Sequence, residues 1–484
     1  MRQLDRLIAQ GYRSDAAALL KTLSSNPDFP DAYRAHAANA ALYIGECSVA
    51  VELAMAYAST SGQQPVRAVN AGGVLAQAGR LTEARAIVKS QLERFADHPS
   101  VNHFLGTVCQ QLGERPVAER YLLAVLNVNE LSGITWLTLA AQHDFQPDDP
   151  LLNRMLGLRE ALDKSDPSLS VPFQFALGKA LLDAGETGEA FDAFEKGASL
   201  SRESSRYDSK RDFGEVTRIL NENSQEDFRK IPVEQESDAQ VIFLVGMPRS
   251  GTTLLQRMLM TSKQVTDGGE FAGMAVATMD CRRRGLDTAK ALTGLADHGA
   301  GEVKEIAEIY RYLVRERFGD RGMVVDKSIR NTQFAGLFSL AFPKSPIIVI
   351  ERDLVDVAWS CFRTCFSARQ SWSWKLKDIA NHIRAEARLI QHWKNVLPAR
   401  IVSIRYEDIV SRPLQSLPKV FGACGIEFDE SVLDFHEQMA GAVTTASVAQ
   451  VSRPLYRDSV GASQNVLDRL GEDIAQLRDI QLGN

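Results

Sequence analysis

A glycine recurs every 34 residues in the N-terminal part of the chain, and this spacing constrains the fold more than any other feature of the sequence. The glycines are Gly11, Gly45, Gly79 and Gly113. An alanine follows each of them five residues later, at Ala16, Ala50, Ala84 and Ala118. A small residue precedes the last three by seven residues, at Ala38, Gly72 and Gly106. Glycine accepts a positive φ at a helix end, and small residues let two helices approach closely. The pattern therefore predicts a 34-residue helix–turn–helix unit, with an irregular helical domain as the alternative.

The unit resembles the tetratricopeptide repeat, and the resemblance covers roughly residues 1–200. The aromatic and proline positions of that family are poorly kept here. After a weaker copy, in which Pro147 falls near the expected glycine, the pattern returns at Gly178, Gly185 and Ala190. The resemblance implies an all-α superhelix with a concave groove. Two uses of this array stay open: binding a peptide or protein partner in the groove, or only packing on a second domain.

Composition narrows the classes of partner and compartment. A formal net charge of −6 argues against a broad surface for nucleic acid or anionic membranes. The 6 cysteines are scattered without a CxxC pair, so no metal site or disulfide is predicted, and Cys361 and Cys365 are expected to be two buried small hydrophobic residues. The first twenty residues have an amphipathic helical pattern rather than that of a secretory signal or membrane anchor, so a soluble, cytoplasmic protein is expected.

The hydrophobic pattern changes at residue 241, after a charged connecting segment at 201–240 with one helical patch at 213–220. Short β-branched runs, typical of strands, lie at 241–246, 323–326, 346–351 and 400–406. Helical stretches separate or follow them at 252–262, 303–317, 332–342, 354–366 and 376–397. This alternation predicts an α/β domain over 241–480 with a central parallel sheet covered on both faces. Ligands of such sheets bind beyond the carboxyl ends of the strands.

The loop after the first of these strands has the glycine spacing of a phosphate-binding P-loop. It reads GMPRSGTT at 246–253, with Gly246 and Gly251 in place. Backbone amides, the hydroxyls of Thr252 and Thr253, and the cation of Arg249 would form an anion site at the start of the next helix. The P-loop lysine is replaced by Thr252, and the strand at 346–351 shows no Walker-B aspartate. An ordinary ATP- or GTP-hydrolysing site is therefore disfavoured.

Two further groups of polar residues lie at predicted strand ends. Arg352 follows the strand at 346–351, and Ser360 lies eight residues later in the next helix, so the two could clamp a second phosphate. Glu270 lies in a glycine-rich loop, 21 residues after Arg249.

Together these motifs resemble the sulfotransferases that use 3′-phosphoadenylyl sulfate (PAPS), over roughly residues 238–465. The resemblance implies the P-loop-like sulfotransferase fold, PAPS as co-substrate and no metal. It implies that PRSGTT (248–253) binds the 5′-phosphosulfate and that Arg352 and Ser360 bind the 3′-phosphate. Such a donor has no γ-phosphate, which would explain the missing lysine. The resemblance implies that five residues of the loop bind PAPS: Arg249, Ser250, Gly251, Thr252 and Thr253.

Within that family the chain most resembles the tyrosylprotein sulfotransferases and their tetratricopeptide-fused bacterial relatives. The resemblance implies Glu270 as general base, Lys327 and Ser447 as further catalytic residues, and Tyr406 as a nucleotide contact. The chain departs from the family after SVG, where Ala462 and Ser463 replace a basic residue and Trp; Arg453 is the candidate substitute contact. An arginine of that branch is Thr364 here, next to Arg363.

The resemblance thus implies transfer of a sulfuryl group to a hydroxyl acceptor, such as a peptide tyrosine presented by the repeats. The acceptor stays open, because a saccharide or a small phenol fits the sequence equally well. Two other functions also stay open: a nucleotide-binding pseudo-enzyme whose repeats scaffold a protein partner, and a P-loop kinase acting on a small molecule.

Overall fold

A computed structural model describes residues 1–59, 65–204, 206–232, 241–295, 299–320, 322–438 and 454–480. The region before the sheet is all-helical, as predicted. Its helices are α1 (Arg2–Ala9), α2 (Arg13–Ser24), α3 (Asp31–Tyr43), α4 (Cys47–Ser59), α5 (Pro65–Gln77), α6 (Leu81–Lys89), α7 (Pro99–Gln111), α8 (Arg115–Val128), α9 (Gly133–Ala140), α10 (Pro150–Asp163), α11 (Pro167–Asp183), α12 (Thr187–Ser204), α13 (Ser209–Asn221) and α14 (Gln225–Lys230).

The recurring glycines lie where the first helix of each pair ends, and all have a positive φ. The angles are 79° at Gly11, 80° at Gly45, 83° at Gly79, 80° at Gly113 and 90° at Gly185. The small residues lie where two helices cross. A Cβ on Gly106 would come within 2.8 Å of the Leu122 side chain, and one on Gly178 within 2.6 Å of Phe194. These contacts explain why the sequence repeats small residues at that position.

The weaker copy of the pattern corresponds to a helix pair with a longer connection. Helices α9 and α10 are joined by residues 141–149, which include Pro147. The close approach has moved to Gly133, at the start of α9, because a Cβ there would collide with the backbone carbonyl of Leu169 in α11.

The second region contains a five-stranded parallel sheet. Its strands are β1 (Val241–Val245), β2 (Val265–Gly269), β3 (Met323–Asp326), β4 (Ile347–Glu351) and β5 (Ile401–Arg405), in the order β2-β3-β1-β4-β5. Four of the strands were predicted, whereas β2 was not. Its VTDGG sequence has one apolar residue and two glycines, so it carries no hydrophobic alternation.

Helices and short helical turns accompany the strands of this region. The helices are α15 (Thr252–Leu259), α16 (Gly273–Ala277), α17 (Met279–Arg283), α18 (Ala289–Thr293), α19 (Ala300–Phe318), α20 (Asn331–Ala341), α21 (Leu354–Phe362), α22 (Leu376–Val396), α23 (Tyr406–Ser411), α24 (Pro413–Ala423), α25 (Phe435–Gln438), α26 (Leu467–Leu470) and α27 (Glu472–Ala475). Short 3-10 helices lie at Ala368–Trp374, Glu430–Asp434, Gln464–Val466 and Gln476–Asp479.

Alternate residues of the central strand β1 enter two hydrophobic layers. Phe243 stacks on Phe338 of α20, with ring centroids 3.9 Å apart. Leu244 lies in the opposite layer with Leu255 and Met258 of α15. The sheet is therefore covered on both faces, as its continuous apolar strands predict.

The helical array contacts the sheet-containing region through both of its ends. Its first two helix pairs contact α17 and α19. At the other end, Phe191 of α12 stacks on Trp359 of α21 at 5.9 Å, and Arg469 forms an ion pair with Asp192. The last repeat and one sheet layer thereby share a continuous hydrophobic core.

The predicted connecting segment also packs closely on the second region. Helix α13 lies against α22, and Asp212 bonds the His382 ring at 2.9 Å. Within the described residues, no helix combines the length and the apolar character that crossing a membrane requires.

Candidate active site

The loop between β1 and α15 makes a tight reversal at the centre of the sheet. Arg249 has a φ of 70° and Gly251 a φ of 106°. A side chain on Gly251 would not fit, because its Cβ would lie 2.5 Å from the Tyr406 ring. The turn leads directly into the N-terminus of α15, an end of a helix that favours an anion.

Arg249 joins the two predicted phosphate-binding motifs. Its Nε donates to Ser360 Oγ at 3.1 Å, and its backbone carbonyl accepts from Arg352 Nη1 at 3.0 Å. Arg352 and Ser360 thus both contact the loop at Arg249. The Arg352 guanidinium also lies 4.5 Å from the centroid of the Tyr406 ring and donates to the carbonyl of Ser459.

Positive charge accumulates at this point of the sheet. Burial lowers the pKa of the Arg249 guanidinium, and neighbouring Arg352 lowers it further. Burial, followed by the charges of Arg249 and Arg352, lowers the pKa of Arg363 to about 10. Cations that depress one another's pKa are stabilised by a bound anion, so the cluster has the electrostatics of a site for phosphate-like groups.

Glu270 and Lys327 form an ion pair at the ends of neighbouring strands. Glu270 follows β2 directly and Lys327 follows β3, and Lys327 Nζ lies 3.1 Å from Glu270 Oε1. The lysine side chain is 2% exposed, whereas that of the glutamate is 43% exposed. The carboxylate is therefore accessible to a reactant, while the ammonium beneath it is fixed in place.

A buried aspartate, which the sequence analysis did not select, holds these strand ends together. Asp326 accepts hydrogen bonds from the Tyr310 hydroxyl at 2.8 Å and the Ser328 hydroxyl at 2.7 Å. Asn331 Nδ2 reaches both Asp326 and the Leu244 carbonyl of β1. Burial raises the pKa of Asp326. A charged residue ending the apolar run MVVD was the available signal for it.

A single cavity of about 280 Å³ connects these elements. Its walls include the loop residues Arg249, Gly251, Thr252 and Thr253, together with Arg352, Tyr406, Glu270 and Lys327. Apolar side chains, among them Ile329, Phe366, Phe435 and Leu455, form other parts of the wall. The loop after β1 with its arginine and the carboxylate–lysine pair thus line the same cavity.

The other residues selected from the sequence differ in their surroundings. Ser360 is buried behind Arg249, and Ser250 is buried with no hydrogen-bond partner for its Oγ among the described residues. Cys361 is buried as expected, but Cys365 is only half-buried and lines the cavity, because helix α21 ends at Phe362. Ser447 and Arg453 lie outside the described residues.

The segment where the chain departs from the family pattern is folded against α21. Asp356 accepts from the amides of Gly461 at 2.7 Å and Ser463 at 2.9 Å. Ala462 packs on the hydrophobic core, while Ser459 and Thr364 line the cavity.

Comparison with known proteins finds a sequence relative, solved structures and a family model. The sequence relative is an uncharacterized protein of Aquifex aeolicus (strain VF5), 24% identical over 400 residues, which cover 80% of this chain and 51% of that protein. The chain therefore spans about half the length of the curated relative it matches.

Among the solved structures that match, the three that follow have low overall similarity to this chain. The sulfotransferase domain of the Synechococcus PCC 7002 olefin synthase is 21% identical, with a TM-score of 0.37, over 51% of this chain and 97% of that domain. The sulfotransferase domain of the curacin biosynthetic pathway is 19% identical, with a TM-score of 0.33, over 49% of this chain and 95% of that domain. A sulfotransferase from Alicyclobacillus acidocaldarius is 19% identical, with a TM-score of 0.27, over 45% of this chain and 97% of that protein.

The family assignment rests on a match to a family model. The model described as "Sulfotransferase family" matches residues 241–430, which contain all five strands, the loop after β1 and the Glu270–Lys327 pair. Residues 241–430 are thus similar to the sulfotransferase family.

Proposed function

We propose that the protein transfers a sulfuryl group from PAPS to a hydroxyl acceptor, with Glu270 as general base. The observation that carries this proposal is the single cavity lined by both the loop after β1 and the Glu270–Lys327 pair. A donor held by the loop would place its sulfuryl group near the Glu270 carboxylate. The transfer needs such a carboxylate, because the acceptor hydroxyl must lose its proton.

The donor is assigned to the cationic side of the cavity. The loop residues 249–253 would hold the 5′-phosphosulfate, and Arg352 and Ser360 the 3′-phosphate. Because Arg249 contacts both Arg352 and Ser360, the two phosphate sites form one connected unit. Tyr406 is assigned to the nucleotide because it lies beneath Arg352. Arg453 is retained as a further donor contact by family resemblance.

The transfer is an in-line displacement at sulfur. As the acceptor oxygen forms a bond to sulfur, its proton passes to Glu270, and the bond from sulfur to the phosphate oxygen breaks with its electron pair on that oxygen. Lys327 and Arg249 would stabilise the charge that develops there, with Ser447 as a hydroxyl donor. General-base help of this kind is worth about 10²- to 10⁴-fold in rate.

The acceptor proposed is an aromatic hydroxyl, such as a peptide tyrosine. The apolar wall residues Ile329, Phe366 and Phe435 suit an aryl ring better than a saccharide. In the more specific form of this proposal, the repeats bind the peptide and present its tyrosine to the cavity.

Two rival functions make different demands on the site. A small-molecule kinase would need a Mg²⁺ ligand at the end of β4, but Glu351 there bonds Lys394 Nζ at 3.1 Å. A pseudo-enzyme would bind the nucleotide and transfer nothing.

Calorimetric titration of 3′-phosphoadenosine 5′-phosphate without magnesium tests donor binding. The wild type and Glu270→Gln are expected to bind, Arg249→Ala to lose binding, and Arg80→Ala, an arginine of the array, to bind like wild type. A sulfuryl-transfer assay with a tyrosine peptide, a saccharide and a small phenol then tests catalysis. Absence of nucleotide binding by the wild type would refute the proposal. Binding without transfer to any acceptor, unchanged in Glu270→Gln, would favour the pseudo-enzyme.

A further inference from the structure

The segment that follows Glu270 leads directly to the helical array. Glu270 is followed by Phe271 and Ala272, then by the short helices α16 and α17, and Asp280 lies in α17. Ala272 has a positive φ of 57°, which is costly for a residue with a side chain and requires support from its surroundings. Part of that support is local, since the Ala272 amide donates to Ser328 Oγ at 2.9 Å.

Further along this segment, Asp280 contacts the first repeat. Asp280 is 9% exposed and accepts three hydrogen bonds at the start of helix α2. They come from the Arg13 amide at 3.2 Å, the Ser14 amide at 3.2 Å and the Ser14 hydroxyl at 2.8 Å. Tyr12, the residue before α2, makes no side-chain cap of its own. The sheet-containing region therefore supplies the cap of a helix in the array.

The second repeat makes the equivalent contact 34 residues later. Ser48 occupies the same repeat position as Ser14, and its amide and hydroxyl bond the Glu316 carboxylate at 3.0 and 3.2 Å. Glu316 lies in α19, the helix on which Phe271 packs, with its ring 5.7 Å from Tyr310 and 5.4 Å from Phe318. Helix α17, which follows the Glu270 loop in the chain, and helix α19, on which Phe271 packs, are thus both hydrogen-bonded to the array.

A buried polar network closes the space between these two caps. Glu46 is fully buried and pairs with Arg13 at 2.6 Å, and it accepts from the Tyr312 hydroxyl of α19 at 2.7 Å. A buried charge that is satisfied on all sides fixes the mutual position of the elements that carry its partners.

We infer that the first two repeats are a structural part of the active site, in which Asp280 acts as a positioning residue for Glu270. The inference rests on the proposed function because it takes Glu270 as the base. The array holds α17 and α19 through the amide ends of α2 and α4, and these helices in turn hold the loop that carries the carboxylate. The nucleotide loop after β1 belongs to the central strand and does not depend on this contact.

The test compares Asp280→Ala with Asp192→Ala in the full-length protein. Asp192 also joins the array to the sheet-containing region, through Arg469, but at the opposite end of the array. For Asp280→Ala we expect kcat for sulfuryl transfer to fall by about 10- to 100-fold, since a misplacement of about 1 Å costs up to about a hundredfold. Its Kd for 3′-phosphoadenosine 5′-phosphate should stay within about twofold of wild type, because a displaced base should not disturb the donor site. Asp192→Ala should change neither quantity.

Ser14→Ala keeps the test decisive if Asp280→Ala folds poorly, because it removes one of the three bonds and leaves both amide donors in place. Its smaller loss of kcat should vanish in the Asp280→Ala background, as expected for two groups that act through one contact. An unchanged kcat in both variants would overturn the inference. Parallel loss of kcat and of nucleotide binding would also overturn it, because it would mean general damage to the domain.

Amide hydrogen exchange separates this inference from the proposed function. Asp280→Ala should speed exchange across 270–283 and leave the loop at 246–252 unchanged. This measurement needs no activity. If the wild type transfers no sulfuryl group, the proposed function fails while exchange still shows whether the array holds the Glu270 loop. Unchanged exchange at 270–283 would overturn the anchoring role.

Discussion

Replacement of Gly251 by alanine is the substitution whose effect the structure specifies most closely. A side chain at this position meets two separate obstacles. The φ of 106° belongs to glycine, and a Cβ would lie 2.5 Å from the Tyr406 ring and 3.2 Å from Ile350 Cδ1. A left-handed backbone costs a residue with a side chain about 1–2 kcal/mol, and overpacking costs about 1–3 kcal/mol. Gly251→Ala is therefore expected to destabilise the fold by about 2–5 kcal/mol.

Two glycines of the array separate these terms. Gly79 has a φ of 83° and nothing within 4 Å of the position that a Cβ would take, so Gly79→Ala carries only the backbone cost. Gly106 has no positive φ but meets Leu122 at 2.8 Å, so Gly106→Ala carries the packing cost, reduced by the roughly 1 kcal/mol by which alanine is favoured over glycine inside helix α7. Thermal unfolding should therefore rank Gly251→Ala as the least stable of the three.

Nucleotide binding provides the second measurement on these variants. Only Gly251→Ala should weaken binding of 3′-phosphoadenosine 5′-phosphate, because the displaced Tyr406 ring supports the Arg352 guanidinium. The reasoning would be refuted by a Gly251→Ala protein that unfolds no earlier than Gly79→Ala, or that binds the nucleotide like wild type.

Three further outcomes are expected. Lys327→Met should lower kcat by about 10²- to 10³-fold, because a cation at the leaving oxygen is lost, while nucleotide binding by calorimetry changes little; an unchanged kcat would remove Lys327 from the mechanism. Phe194→Ala, which empties the space beside Gly178 and Trp359, should cost about 3–5 kcal/mol and lower the melting temperature, and a stability equal to wild type would contradict the shared core. Burial lowers the pKa of His103 and His392 below the ordinary 6.5. Between pH 6.5 and the lowered pKa values, the unfolded chain therefore binds more protons than the folded protein. The free energy of unfolding that is present above about pH 6.5 thus decreases as the pH falls through the folded-state pKa values. Melting between pH 7 and pH 5 checks this, and His103→Gln with His392→Gln should flatten the dependence.

The sequence by itself determined the repeat and most of the sheet. A glycine at each helix end and a small residue at each crossing are local requirements, so their 34-residue spacing is visible without any tertiary structure. The strands β1, β3 and β4 are largely buried runs rich in apolar residues, and β5 has three apolar residues in five, so all four are recognisable from the sequence. The loop after β1 was visible because its glycines and its arginine are adjacent in the chain.

The tertiary structure decided what lies close to what. Strand β2 was missed because VTDGG has no apolar pattern. It is a strand because it pairs with β3, and that pairing is not visible in the sequence. In the sequence Asp326 is only the last residue of a strand. Its role in holding the strand ends together depends on hydrogen bonds from Tyr310, Ser328 and Asn331, which the tertiary structure places around it. The bond between Asp280 and Ser14 joins residues 266 positions apart, so no local pattern could reveal it. Capping and ion pairing depend on distance in space, which only the packing of the array against the sheet-containing region fixes.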